Sequence, residues 1–190
     1  MGSAQHELDP RSELVLDTHE LARRPGVSKQ VQTTVPAPTG LGLAVIAVPP
    51  ESEVELDVRL ESVVEGVLVT GTAVVQLRGE CVRCLGEVSR DLSVDLQELY
   101  VYPNSEAGPD EASRLQNDLL DLEPLLRDQV VLDLPFRPLC REDCEGLCAT
   151  CGANLNDDPD HGHEAPIDPR WAAIADLDLG GDEQSSDSDN

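Results

Sequence analysis

The sequence predicts an α+β fold: an antiparallel β-sheet, as a meander or a partly open barrel, packed with one or two helices and followed by a Cys-rich zinc-knuckle segment. Three observations lead there. Apolar residues alternate with period two through residues 54–96, one helical stripe follows at 122–134, and four cysteines fall between 140 and 151. A length of 190 residues suits one domain with an appended module.

Taken in order, Leu14-Val15-Leu16 reads as a first short strand, and Arg23-Arg24-Pro25-Gly26 as a turn. Pro36, Pro38, Gly40, Pro49 and Pro50 break up what remains of residues 11–50. That stretch reads as an irregular arm with one short strand at Leu43 to Val48. From Val54 the pattern is clean. Val54, Leu56, Val58 and Leu60 share one face, and Glu55, Asp57, Arg59 and Glu61 the other, as in a half-buried strand. A turn at Glu65-Gly66 leads to a second strand with Val67, Val69, Gly71, Ala73, Val75 and Leu77 on one face. Val88, Leu92, Val94 and Leu96 mark a third. Three runs with short connections predict an antiparallel meander, polar on one side.

Residues 103–117 read as a loop. Leu122, Leu125, Leu126, Gln129, Val130, Asp133 and Leu134 then fall at helical spacing, and five of these seven are apolar. Asp121 is the expected cap, Pro124 fits the first turn, and Pro135 ends the helix. Asp168-Pro169 opens a last short helix with Trp171, Ile174 and Leu177, closed by Gly180-Gly181. The divisions that follow are a flexible tail at 1–12, an α+β domain at 13–137, a zinc-binding segment with its terminal helix at 138–179, and a disordered acidic tail at 180–190.

Charge narrows the function classes. Asp and Glu number 38 against 13 Lys and Arg, for a formal net charge of −25. Such a chain does not hold DNA or an anionic membrane by bulk electrostatics. Aromatics at 2% give no stacking platform for single strands. Residues 1–50 carry 5 acids and 4 bases, net −1, so the remainder carries −24. Arg23 and Arg24 are the best basic cluster and, with Arg83, the candidate contacts to RNA or a partner. The first residues show no basic stretch followed by an apolar run, which predicts a cytoplasmic protein.

The strongest chemical signal is Cys140-x3-Cys144-x3-Cys148-x2-Cys151, followed by His161-x-His163. Four thiols within twelve residues converge only if the chain curls around a centre, and tetrahedral zinc is the usual one. A redox Cys-x-x-Cys is the rival for Cys148 and Cys151, but the strand-then-helix context that activates such thiols is missing. The expected ligands are Cys140, Cys144, Cys148 and Cys151. His161 and His163 with Cys148 and Cys151 make equal chemical sense, and Cys81-x2-Cys84 between the second and third strands is a further pair. The thiolate-rich set predicts a closed structural site rather than an open catalytic one. No phosphate-cradling loop or dinucleotide fingerprint occurs, and the prediction is of no enzyme.

Together, Arg23-Arg24-Pro25-Gly26, Leu60-Glu61-Ser62-Val63-Val64-Glu65-Gly66-Val67, Gly79-Glu80-Cys81-Val82-Arg83-Cys84-Leu85, Pro138-Leu139-Cys140, Asp143-Cys144-Glu145-Gly146-Leu147-Cys148, Cys151-Gly152-Ala153-Asn154-Leu155-Asn156 and Asp168-Pro169-Arg170-Trp171 resemble the YceD family, the large ribosomal RNA subunit accumulation proteins, in its actinobacterial form. The resemblance implies a bacterial cytoplasmic protein needed for normal levels of large-subunit ribosomal RNA, with no known catalytic activity. Many members carry a Cys-x-Cys pair where His161-x-His163 stands here. The expected function is a non-enzymatic factor in large-subunit biogenesis that meets the precursor particle. The alternatives are an acidic chaperone for one basic ribosomal protein and, remotely, a zinc-dependent RNA-processing hydrolase.

Overall fold

The computed structural model describes residues 8–21, 23–105 and 112–163. The chain forms two compact units, Met1–Gly146 and Leu147–Asn190. Among the described residues, the first holds all the regular elements. These are β1 (Val15–Asp17), a 3-10 turn (His19–Leu21), β2 (Ser28–Pro36), β3 (Gly42–Leu43), β4 (Ile46–Ala47), β5 (Glu53–Ser62), β6 (Gly66–Glu80), β7 (Glu87–Val101), β8 (Leu119–Asp121) and α1 (Glu123–Asp133). Architecture is α+β, as the alternation and the single helical stripe imply.

The centre is a long hairpin. β6 and β7 pair antiparallel without a break from Gly66↔Val101 to Glu80↔Glu87. β5 pairs with the first part of β6, from Ser62↔Val67 to Val54↔Val75, and β4 takes the same edge further along, at Ala47↔Arg78 and Ile46↔Gly79. β2 adds outside β5, and β1 pairs with β8 as a separate two-stranded piece.

Alternation assigns the faces. Val54, Leu56, Val58 and Leu60 of β5, Val67, Val69, Ala73, Val75 and Leu77 of β6, and Val88, Val94, Leu96 and Tyr100 of β7 are buried on one side. Leu125, Leu126 and Val130 of α1 complete that core, together with Leu120, Leu122, Leu41 and Ile46. Full burial of one such side chain contributes about 1.5–3 kcal/mol, so this face supplies most of the driving force. Gly71 is required by close approach. A Cβ there would lie 2.1 Å from the Asp57 carbonyl oxygen across the β5–β6 ladder.

The structure corrects the sequence reading in three places. The arm at 11–50 contains a nine-residue strand, β2, of which only Val35 is buried. Its inward positions Lys29, Val31, Thr33 and Val35 mix polar with apolar residues, and Lys29 and Val31 are only half-buried, so the alternation is weak. The single strand expected at Leu43 to Val48 is the tight hairpin of β3 and β4. Asp121 does not occupy the cap position of α1, which is Leu122; its carboxylate still accepts the Glu123 N–H at 2.9 Å. Arg127 on the helix donates to the Gly40 and Thr39 carbonyls and pairs with Glu123, which ties α1 to the loop before β3. The helix expected at 168–180 with Trp171, the tail at 180–190 and residues 1–7 of the tail expected at 1–12 lie outside the described residues.

Two substitutions test this frame by chemical denaturation. Leu126→Ala, at a fully buried helix position, lowers stability by about 2–5 kcal/mol. Gly71→Ala forces β5 and β6 apart and costs about 1–3 kcal/mol, although it adds only one methyl group.

Candidate metal centres

The tip of the β6–β7 hairpin is the segment Cys81-Val82-Arg83-Cys84-Leu85-Gly86. The Cys81 N–H donates to the Gly86 carbonyl at 2.8 Å, and the Leu85 N–H donates to the Cys81 carbonyl at 2.9 Å. Leu85 takes a left-handed conformation, φ 58°. The second unit repeats this backbone. The Cys148 N–H donates to the Ala153 carbonyl at 2.8 Å, the Gly152 N–H donates to the Cys148 carbonyl at 2.8 Å, and Gly152 has φ 75°. Both Cys-x-x-Cys turns are thus the same knuckle, in which backbone N–H groups turn toward the first sulfur.

Each knuckle meets a different second pair. Cys81, Cys84, Cys140 and Cys144 form one group, and Cys148, Cys151, His161 and His163 another; in each, the ligand atoms lie within 4.8 Å of one another. Both groups could hold a metal ion. The sequence expectation of one site from Cys140, Cys144, Cys148 and Cys151 does not match this gathering. The closely spaced run is divided between two clusters, and the pairs treated above as alternates complete each of them. Gly146, with φ 85°, turns the chain between the two halves of the run.

In the first cluster, the Cys81 and Cys144 sulfurs are 3.7 Å apart and the Cys84 and Cys140 sulfurs 3.6 Å. Zinc–sulfur bonds of about 2.3 Å at tetrahedral angles put sulfurs about 3.8 Å apart, whereas a disulfide needs about 2.05 Å. All six cysteines are free thiols. Cys81 and Cys144 belong to the buried core. Two bonds lock the tip to the later segment: the Val82 N–H donates to the Pro138 carbonyl at 2.9 Å, and Arg83 Nη1 donates to the Cys144 carbonyl at 2.8 Å. Sequence separations of 56 and 63 residues within this cluster explain why spacing alone did not reveal it.

Burial pushes the Cys81 thiol up, but backbone hydrogen bonds from Cys84, Cys140 and Arg83 outweigh it and bring the thiol down to about 6. Cys140 goes the other way. Desolvation and the sulfurs of Cys84, Cys144 and Cys81 push it up to about 12, although the residue as a whole is exposed. Four sulfurs packed together repel one another as thiolates, and a bound dication removes that repulsion.

The second cluster is built by a single short segment. Cys151 Sγ lies 3.1 Å from His161 Nε2 and 3.3 Å from His163 Nε2, and the two Nε2 atoms are 3.0 Å apart. The Cys148 thiol is lowered to about 6, chiefly by backbone hydrogen bonds from Cys151 and Thr150. Asp158 Oδ2 faces the other ring nitrogen of His161 at 3.6 Å. Nothing in the sequence singled out Asp158 among 38 acidic residues.

The candidate contact residues are partly engaged within the fold. Arg23 pairs with Asp118 at 3.1 Å and lies over the Tyr102 ring at 5.1 Å. It lines a cavity of about 230 Å³ with Thr18, His19, Leu21, Val67 and Tyr102. Arg83 braces the first cluster, and Arg24 is exposed.

Leu85 occupies a left-handed position with its side chain 64% exposed. A non-glycine residue there costs about 1–2 kcal/mol, and little packing is lost on truncation. Leu85→Gly therefore leaves stability unchanged or raises it by up to about 1 kcal/mol, whereas Arg83→Ala lowers it. Thermal unfolding of the two variants in parallel checks this contrast.

The family described as "Large ribosomal RNA subunit accumulation protein YceD" matches residues 69–178, a span that contains both clusters. An uncharacterised protein of Mycobacterium tuberculosis is 44% identical over 170 residues, covering 87% of this chain and 82% of its own. An uncharacterised protein of Mycobacterium leprae is 41% identical over 170 residues, covering 87% and 78%. A shorter stretch of 37 residues, 20% of this chain and 13% of the other, is 43% identical to the chloroplastic large ribosomal RNA subunit accumulation protein YCED homolog 1 of Zea mays. No solved structure matches this chain. With more than half its length inside the family match, and mycobacterial relatives aligned over most of theirs, this chain belongs to the YceD family of large ribosomal RNA subunit accumulation proteins.

Proposed function

We propose that this protein is a non-enzymatic, cytoplasmic factor in large ribosomal subunit biogenesis that supports accumulation of large-subunit ribosomal RNA. The family match carries the reading. Among the described residues, no helix is long and apolar enough to cross a membrane. Zinc at Cys81, Cys84, Cys140 and Cys144 acts structurally. It clamps the hairpin tip to the segment after α1, and its four thiolates leave no position for substrate or a reacting water.

One observation favours a protein partner over direct RNA contact as the route. The outer face of the sheet exposes Glu53, Glu55 and Asp57 on β5, and Glu87, Asp91 and Asp95 on β7. Gln30 and Gln32 of β2 hydrogen-bond Asp57 and hold it in place. Such a face attracts a cationic protein and repels phosphate, while Arg23 and Arg83 are engaged internally. The second reading is therefore an acidic chaperone for a basic ribosomal protein, working in the same pathway.

Two experiments test these statements. Depleting the protein lowers the large-subunit peak in a sucrose-gradient profile, and a normal peak refutes the role. Affinity capture at moderate salt, with and without nuclease, separates the routes: one stoichiometric basic protein that survives nuclease supports the chaperone, and nuclease-sensitive particles support direct RNA contact. For the metal, Cys81→Ser and Cys144→Ser each remove one equivalent of zinc and cost about 3 kcal/mol or more, since structural zinc contributes folding energy directly. Metal analysis and thermal unfolding measure both.

A further inference from the structure

We propose that the chain takes a second zinc ion, held by Cys148, Cys151, His161 and His163, and that this is the exchangeable one, whose binding folds residues 147–163. The inference shares with the reading above only the choice of metal; its ligands and its test are separate.

Donor chemistry is the first support. Two sulfurs and two imidazole nitrogens form a complete tetrahedral set for zinc. Both histidines present Nε2 to the same place, 3.1 and 3.3 Å from the Cys151 sulfur. Their rings stand at 83° to each other, with centroids 4.7 Å apart, so neither blocks the other's approach to a shared ion. Asp158 sits behind His161 on the Nδ1 side. A carboxylate there holds the ring orientation and tautomer that leave Nε2 free to ligate.

Local structure is the second support. None of residues 147–163 is buried. Among the described residues, what orders them on the protein side is the isolated bridge Leu147↔Asn154, the knuckle bonds, and turns such as the Asn156 N–H to Asn154 Oδ1 bond at 3.1 Å. The described residues of this segment bury no apolar side chain against one another, so burial among them does not offset their conformational entropy. An ion bound by four ligands spaced over sixteen residues supplies the missing free energy, so binding and folding become one event.

Unequal retention follows from the contrast between the clusters. The first draws its ligands from two distant stretches; Cys140 is exposed and Cys84 half-buried, but Cys81 and Cys144 belong to the core, at 0% and 2% exposed. Full release of that ion requires freeing it from two ligands that are part of the core. The second uses one local segment whose Cys151 and His163 are exposed, so a chelator reaches the ion by local fraying alone.

The experiment uses the full chain purified with zinc. Native mass spectrometry and elemental analysis give two zinc ions per chain. Challenge with EDTA, followed with a chromogenic zinc indicator, gives two phases of one equivalent each, the fast one at least tenfold faster. Hydrogen exchange after the fast phase shows protection lost at 147–163 and kept in β6 and β7. The double variant Cys148→Ser, His161→Ala keeps one zinc and only the slow phase, with native sheet circular dichroism. Cobalt substituted into that variant shows a four-thiolate spectrum, and the difference from wild type shows two thiolates and two imidazoles. One zinc per chain, removed by Cys81→Ser but not by the double variant, overturns this inference and leaves the hairpin-tip site standing. One zinc, removed by the double variant but not by Cys81→Ser, overturns the hairpin-tip site instead. Two ions released in a single phase, or unchanged protection at 147–163, overturn the exchangeable assignment.

Discussion

The unbroken pairing of β6 with β7 is the constraint on which the first unit depends. Fifteen residues on each strand pair in one register, and a slip by one residue would turn Val69, Ala73, Val75 and Leu77 to solvent. β5 and β4 take the free edge of β6, and α1 covers the apolar face that the register creates. The same register fixes where the hairpin ends, and so where Cys81 and Cys84 are presented. The metal cluster is an outcome of strand pairing before it is an outcome of cysteine chemistry.

Legibility of the fold in the sequence followed burial. β5, β6 and β7 and the helix were readable because each buries one face against a common core, which leaves a period of two or of 3.6 in the residue types. β2 was not, because between Ser28 and Thr34 only Val31 packs against the core, and the strand is held by backbone pairing with β5 and by bonds from Gln30 and Gln32 to Asp57. Asp121 was chosen as a cap from its residue type; the chain starts the helix one residue later, and the carboxylate still serves the first free N–H group.

The candidate sites were legible in their ligand types but not in their partition. Residue identity gives no account of which distant segments meet: Cys81 stands at the hairpin tip, and the segment after α1 brings Cys144 back to it. A signal for this partition was present. Cys-Val-Arg-Cys-Leu and Cys-Ala-Thr-Cys-Gly are the same turn, with the left-handed residue in the fifth position each time. Two copies of a half-site call for two second halves, and the chain holds two: Cys140 with Cys144, and His161 with His163.

That repeated turn has a consequence for metal selectivity. Since the two half-sites share a backbone, whatever distinguishes the ions they accept lies in the second pair. A filled four-thiolate centre carries −4 + 2 = −2 and is soft throughout, which favours polarisable ions such as cadmium or cuprous copper over zinc. A centre of two thiolates and two neutral imidazoles carries −2 + 2 = 0 and, as a tetrahedral set of mixed softness, suits zinc itself. If both centres hold zinc, a soft competitor would therefore displace it from the core-facing, all-thiolate centre more readily than from the solvent-facing one.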